Sequence, residues 1–342
     1  MSAPSQRIAY FGKLPGCGDF VRSPGDQVLL ELVDQWLAAV MQRLAANPRW
    51  RQHYDSCPPL DFAFIGTRSR QVVCGHLLAS RDQSARRFPF ACMAVHHVAK
   101  PRDFIPCSPL ALAPAWGGLA IAAGAATAAA MGPVDGILPV PLSETSQAQA
   151  ALQDFLADAC LASLEASLAA PAGSASARQL LLALGLLLSP LGEHAPVTSR
   201  SLALPLPREA RLRPLVAAFW MSLAAPLLAR QDLEIAIFLA PVAGQPSLIL
   251  GLDGANPAGL FSVIDPEAAQ EEMVVAGDCA WAEAALHGDA PLQRLAACLE
   301  QGQLGLPAAM QLFHETFCRI RSLPCASCSW FFYWPAHQPS RS

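Results

Sequence analysis

Tyr10-Phe11-Gly12-Lys13-Leu14-Pro15-Gly16-Cys17-Gly18-Asp19-Phe20-Val21 changes character within a few residues. The approach to it, Arg7 to Phe11, is β-branched and aromatic and reads as a short strand ended by Gly12. Lys13 to Asp19 then forms a glycine-rich loop. Its glycines permit dihedrals closed to other residues, and Pro15 stiffens the chain. Asp19 is expected to cap the turn or to accept from backbone amides. A glycine-rich loop between strand and helix also suggests a phosphate cradle. The detail is against it: neither G-x-x-x-x-G-K-[ST] nor G-x-G-x-x-G is present, and Lys13 follows the first glycine instead of closing the loop. A tight, rigid turn is the better reading.

Outward from this loop, Pro24-Gly25 marks a turn. Residues 26–46 place Leu29, Leu32, Val33, Trp36, Leu37, Val40, Met41 and Leu44 at helical spacing, with Asn47-Pro48 as the stop. Strands are expected over 60–66, with Leu60, Phe62 and Phe64 on one face, and over 71–79 and 88–98. Their short connections favour antiparallel pairing. The last connection lies in Gly75 to Pro89, GHLLASRDQSARRFP, which carries Ser80, Arg81, Asp82, Arg86 and Arg87. This loop is either a solvated hairpin connection or a partner to the first loop. In the second case Asp19 pairs with Arg86 and Lys13 sits beside Asp82. Such a cluster locks two loops together, presents a binding surface, or does both.

The two blocks, in this order and spacing, resemble the TagF/ImpM family, whose opening signature runs roughly Y-G-K-L-P-x-x-G-D-F-V. In the second block Gly75, Leu77, Ser80, Asp82, Arg86, Phe88 and Pro89 fall in register with the family pattern. Ala79 stands where proline is usual and Ala85 where glycine is usual. Trp36 and the Trp50/Tyr54 pair also fit. The resemblance is good over residues 7–98 and faint over 211–262, where Phe219-Trp220 matches an aromatic–tryptophan strand of the family. It implies a cytoplasmic regulator that holds type VI secretion in check after translation, by contact with other components, notably a forkhead-associated scaffold protein. Some relatives are fused to a metal-dependent protein phosphatase domain, whose acidic metal-binding pattern this chain lacks. The motif residues Gly12, Lys13, Pro15, Gly18, Asp19, Ser80, Asp82, Arg86 and Arg87 are the candidate partner-binding or loop-locking set.

The remainder of the chain bears on class more than on site. It has 342 residues, 53% hydrophobic and 15% charged, enough to bury a large core. Net charge is +6 over residues 1–102 and −10 beyond, read as ordinary surface charge, as halves that attract each other within the fold, or as a basic face for a partner. The overall charge of −4 alone says nothing about nucleic acid, and none is expected as a partner. The N-terminus precedes no apolar h-region, so no secretory leader is expected and the eleven cysteines are expected as reduced thiols. Phe104 to Val134 is uncharged and long enough to span a bilayer. It is rich in alanine and interrupted by Pro106, Pro109, Pro114 and several glycines, so a buried helix near 115–131 is preferred and no stable membrane insertion is expected. Helices are expected at 148–169, 180–188, 211–229 and 279–320, a hairpin at 234–240 and 247–252, and irregular chain over the proline-interrupted 190–208.

His314, Cys318, Cys325 and Cys328 are possible zinc ligands, though a lone C-x-x-C is a weak signal. The aromatic run Trp330 to Trp334 reads as core packing or a docking patch. His97 reads as packed or exposed, not catalytic. The expected fold is α/β, a largely antiparallel sheet between helical layers. The core spans 1–265 with a helical insertion at about 140–208, and 266–342 is a mainly helical C-terminal extension. No cofactor and no catalytic residue are expected. A metal-dependent or nucleotide-binding enzyme or switch is the alternative.

Overall fold

The computed structural model describes residues 8–128, 141–168, 175–191, 200–275 and 279–318. The strands in chain order are β1 Ala9–Gly12, β2 Val21–Arg22, β3 Leu60–Gly66, β4 Gln71–Leu78, β5 Phe90–His97, β6 Ser201–Pro205, β7 Glu234–Val242, β8 Gln245–Gly251 and β9 Met273–Val275. They form one sheet in the order β2-β1-β5-β4-β3-β7-β8-β6-β9. Each pairing is antiparallel except β6 with β9. The period of two sends alternate side chains to opposite faces. Phe62, Phe64, Leu77, Met93, Phe238 and Ile249 line one face, while Ala63, Ile65, Cys74, Cys92, Ile237 and Leu250 line the other. With both faces covered, the central strands are apolar over most of their length, Asp61 on β3 and His76 on β4 being among the exceptions.

The helices are α1 Gln27–Ala45, α2 Trp50–Ser56, α3 Pro101–Phe104, α4 Ser108–Ala128, α5 Thr145–Asp158, α6 Leu161–Leu168, α7 Ala177–Leu188, α8 Arg213–Leu228, α9 Pro257–Ile264, α10 Pro266–Glu272, α11 Ala280–Ala284, α12 Ala290–Leu299 and α13 Leu306–Phe317. Helix α1 covers the first face beside α9, which runs straight into α10 through Asp265. Asp265 caps α10 and accepts from Asn47 Nδ2 at 2.8 Å, tying the end of α1 to this pair. The other face is covered by a thicker layer built on α4 and α8, with α5, α7, α12 and α13 packed around them. Thus the antiparallel sheet between helical layers is present, and the C-terminal region is mainly helical.

Several elements differ from the sequence reading. Leu32 is 45% exposed and Leu30 is buried in its place. Leu32 lies about 100° round the helix from the centre of the Leu29–Leu44 stripe, and Leu30 lies closer to it. The helix expected over 148–169 breaks at Ala159 and Cys160, where the chain goes extended and exchanges backbone bonds with 304–306. The stretch 190–208, expected to be irregular, carries β6, whose Leu202, Ala203 and Leu204 join the core. Phe219 and Trp220 lie in the middle of α8, not in a strand. Residues 273–275 of the expected C-terminal extension form the edge strand β9. Helix α4 begins earlier than expected, with Pro114 inside it, and Trp116 Nε1 donates to the Phe62 carbonyl at 2.9 Å, pinning it to the sheet.

Candidate functional site: two motif loops closed on a buried aspartate

The loop after β1 and the loop between β4 and β5 meet at one end of the sheet because β1 pairs with β5 and β5 with β4. The contact begins at Gly12, with φ +135°, where an added Cβ would strike the carbonyl of Pro89. A side chain here would push β1 off β5 and separate the loops. Phe11, Phe20 and Phe88 then form an aromatic triad. Phe11 stacks on Phe20 with centroids 5.6 Å apart, and Phe20 meets Phe88 edge-on at 4.8 Å. Lys13 Nζ stands 4.9 Å from the centre of the Phe20 ring.

Asp82 is the polar centre. Its side chain is fully buried, and so is nearly all of Lys13. Oδ2 accepts from Lys13 Nζ at 2.9 Å and from Arg86 Nε at 2.6 Å. Oδ1 accepts from the backbone N–H of Ser84 and of Arg86, both at 2.9 Å. Burial opposes ionisation of this carboxyl. The hydrogen bonds from Lys13 and Arg86 outweigh it and hold the group well below the usual carboxylate range. Around it the chain turns tightly, with Ala85 N–H donating to the Asp82 carbonyl at 2.9 Å and Ala85 at φ +60°.

A second ring of bonds fixes the loops to the scaffold. Ser80 Oγ donates to the Lys13 carbonyl at 2.6 Å. Tyr54 OH, on α2, accepts from Ser80 N–H at 2.8 Å and donates to the Ser80 carbonyl at 2.9 Å. Burial pushes the Tyr54 phenol well above its ordinary range, so it stays a neutral donor and acceptor. Arg86 reaches the Gly18 carbonyl at 2.7 Å, and Gln83 N–H donates to the Cys17 carbonyl at 2.9 Å. Arg87 makes a bidentate pair with Asp55 of α2 at 2.7 and 2.6 Å.

The expected pairing of Lys13 with Asp82 is therefore present. The expected pairing of Asp19 with Arg86 is not. Arg86 turns inward to Asp82 and Gly18, and Asp19 Oδ1 accepts from the N–H of Phe20 at 2.8 Å. Asp19 keeps its other expected role, as a turn acceptor. Lys13, Ser80 and Asp82 are buried, whereas Pro15, Gly18, Asp19, Arg81, Gln83 and Arg86 are exposed. Sequence reasoning missed the part of Tyr54 as a clamp and that of Phe20 as the lid over Lys13. The signal for Tyr54 was its place in the family layout. Nothing in the sequence reported its partner.

Other chemistry-bearing residues are less well placed. Asp61, His76, Cys92 and Tyr10 form one row across β3, β4, β5 and β1, and Asp61 Oδ1 lies 2.7 Å from His76 Nδ1. Burial pushes the Cys92 thiol up to about 12, which favours its protonated form. His314 Nε2 lies 3.2 Å from the Ser222 carbonyl, and burial lowers its pKa. Cys325, Cys328 and Trp330 to Trp334 lie outside the described residues. Among the described residues no group of three His, Cys, Asp or Glu converges to hold a metal. His97 is exposed at the end of β5.

Residues 9–133 match the model of the TagF N-terminal domain, described as type VI secretion system-associated. Among solved structures, the crystal structure of PA0076 from Pseudomonas aeruginosa PAO1 aligns at 22% identity over 42% of this chain and 78% of that one, with a TM-score of 0.30. No curated protein matches the sequence.

Proposed function

We propose that this chain, a TagF-family and type VI secretion system-associated protein through its residues 9–133, is a non-enzymatic cytoplasmic regulator that represses secretion by binding another component of the system. The observation that carries the reading is the direction in which the motif's polar groups face. Lys13, Ser80, Asp82 and Tyr54 are buried and bonded to one another. They hold the loops instead of facing a substrate. What they hold outward is the pair of loop tips, with Pro15, Gly18 and Asp19 exposed on one and Arg81, Gln83 and Arg86 on the other. A platform fixed before contact loses little entropy on binding.

The test is a pull-down and titration with the other components of the system, a forkhead-associated scaffold protein first. Arg81 and Gln83 are the residues to change, because both are exposed and neither side chain takes part in the Asp82 cluster. The double variant Arg81→Glu/Gln83→Ala is expected to keep its thermal midpoint and to lose about tenfold in affinity, roughly 1.4 kcal/mol. Unchanged affinity for every component sinks the platform reading. A thermal-shift screen in which a nucleotide or divalent cation raises the midpoint favours the enzyme or switch instead.

A further inference from the structure

We infer that the outer face of α4 is a docking surface for the chain's own C-terminal segment, with the aromatic run at residues 330–334 as its cover. No residue of α4, from Ser108 to Ala128, is charged. Its inner side packs on β4, β5 and α8 through Leu112, Trp116, Leu119 and Ala123. Its outer side is equally apolar. Pro114, Gly117, Ile121, Gly124 and Ala128 are exposed there, Ile121 to 74%. A methyl group added at Gly117 or Gly124 would meet nothing within 4 Å, so no described element stands over this face. The one hydroxyl nearby, that of Thr127, is turned back onto the Ala123 and Gly124 carbonyls. A helix apolar all round is ordinarily covered all round, and an exposed apolar patch marks a contact.

Helix α13 ends at Phe317, whose carbonyl accepts from Arg230 just beyond α8. Both α13 and α4 pack on α5 and α8. Crossing two helix spacings of ~10 Å each therefore brings the chain from α13 to α4. The eleven residues 319–329 reach about 36 Å when extended, which is enough. They lead to Trp330-Phe331-Phe332-Tyr333-Trp334, five consecutive aromatic side chains. Such a run needs apolar cover, and the α4 face supplies a surface with little relief and no charge to desolvate.

A photo-crosslinker placed at Ile121 in the full chain tests this. The expected product has monomer mass and a crosslink within residues 330–334. In parallel, the full-length variant Trp330→Ser/Trp334→Ser is expected to raise the fluorescence of an apolar dye several-fold. Crosslinks to another segment of the chain, a product of dimer mass, or binding of the unmodified protein to phospholipid vesicles through this helix would each overturn the proposal. So would dye binding that the double variant leaves unchanged.

Discussion

Ala85 occupies the left-handed region at φ +60°, at the tightest point of the Asp82 turn. The family pattern that this stretch resembles has glycine there, and the backbone supplies the reason. A Cβ in that region costs roughly 1–2 kcal/mol, and replacing it with glycine returns part of the gain as unfolded-chain entropy. Ala85→Gly is therefore expected to stabilise the protein by about 0.5–1 kcal/mol, read as a higher urea midpoint at unchanged slope. An unchanged or lower midpoint would show that the turn is not strained at this residue. At this scale the sequence was half legible. Lys13 and Asp82 were matched from their places in the two motifs, because each sits one residue from a fixed strand end or turn. Arg86 was sent to the wrong acid because a long side chain is not directed by its position alone. Its inward course depends on the Ala85 turn, which places its N–H and its guanidinium on the same carboxylate.

Gly75 shows what elements demand of one another. It lies on β4 opposite Phe62 of β3, and an added Cβ would run into the Phe62 ring. That ring also packs on Trp36 of α1, with centroids 5.3 Å apart, so it has little freedom to retreat. Gly75→Ala is expected to cost about 1–3 kcal/mol through overpacking. Adding Phe62→Leu should recover part of the loss, and a double-mutant cycle in urea measures the coupling. Strict additivity would place the strain elsewhere. Elements with a local signal were legible: α1 from its apolar stripe, the β7–β8 hairpin from Ala243 and Gly244, and the β3–β4–β5 meander from its short turns. The capping box of Ser176 and Gln179 was in the sequence and marks the true start of α7, three residues before the expected one. Strand β6 and the break at Ala159 were not legible. Each is made by pairing with chain about 40 to 150 residues away, which no local pattern reports.

The whole molecule has an acid profile set by groups in different layers. Burial lowers the pKa of His96 and of His314, so the folded protein resists protonating them. The unfolded chain takes those protons as pH falls through about 6.5, and stability declines from there. Asp82 behaves oppositely in charge but not in sign. Its folded carboxyl stays ionised while the unfolded one protonates near pH 3.9, so a second loss runs below about pH 4. Denaturant midpoints taken across pH 3 to 8 are expected to fall in these two stages. His96→Gln should shrink the first, and Asp82→Asn, less stable at neutral pH, should shrink the second, to which Asp55, its carboxyl held down by the hydrogen bond from Arg87, also contributes. A single stage, or a first stage indifferent to His96, would contradict the assignment.

At this scale too, the sheet's outline has a consequence. Among the described residues its borders are the two-residue β2 and the three-residue β9. Neither offers enough free N–H and C=O groups to template an incoming peptide, so strand addition and edge-to-edge aggregation are disfavoured at both ends. Recognition of the described part is then left to side chains presented by its turns and helices, and is tunable one surface residue at a time.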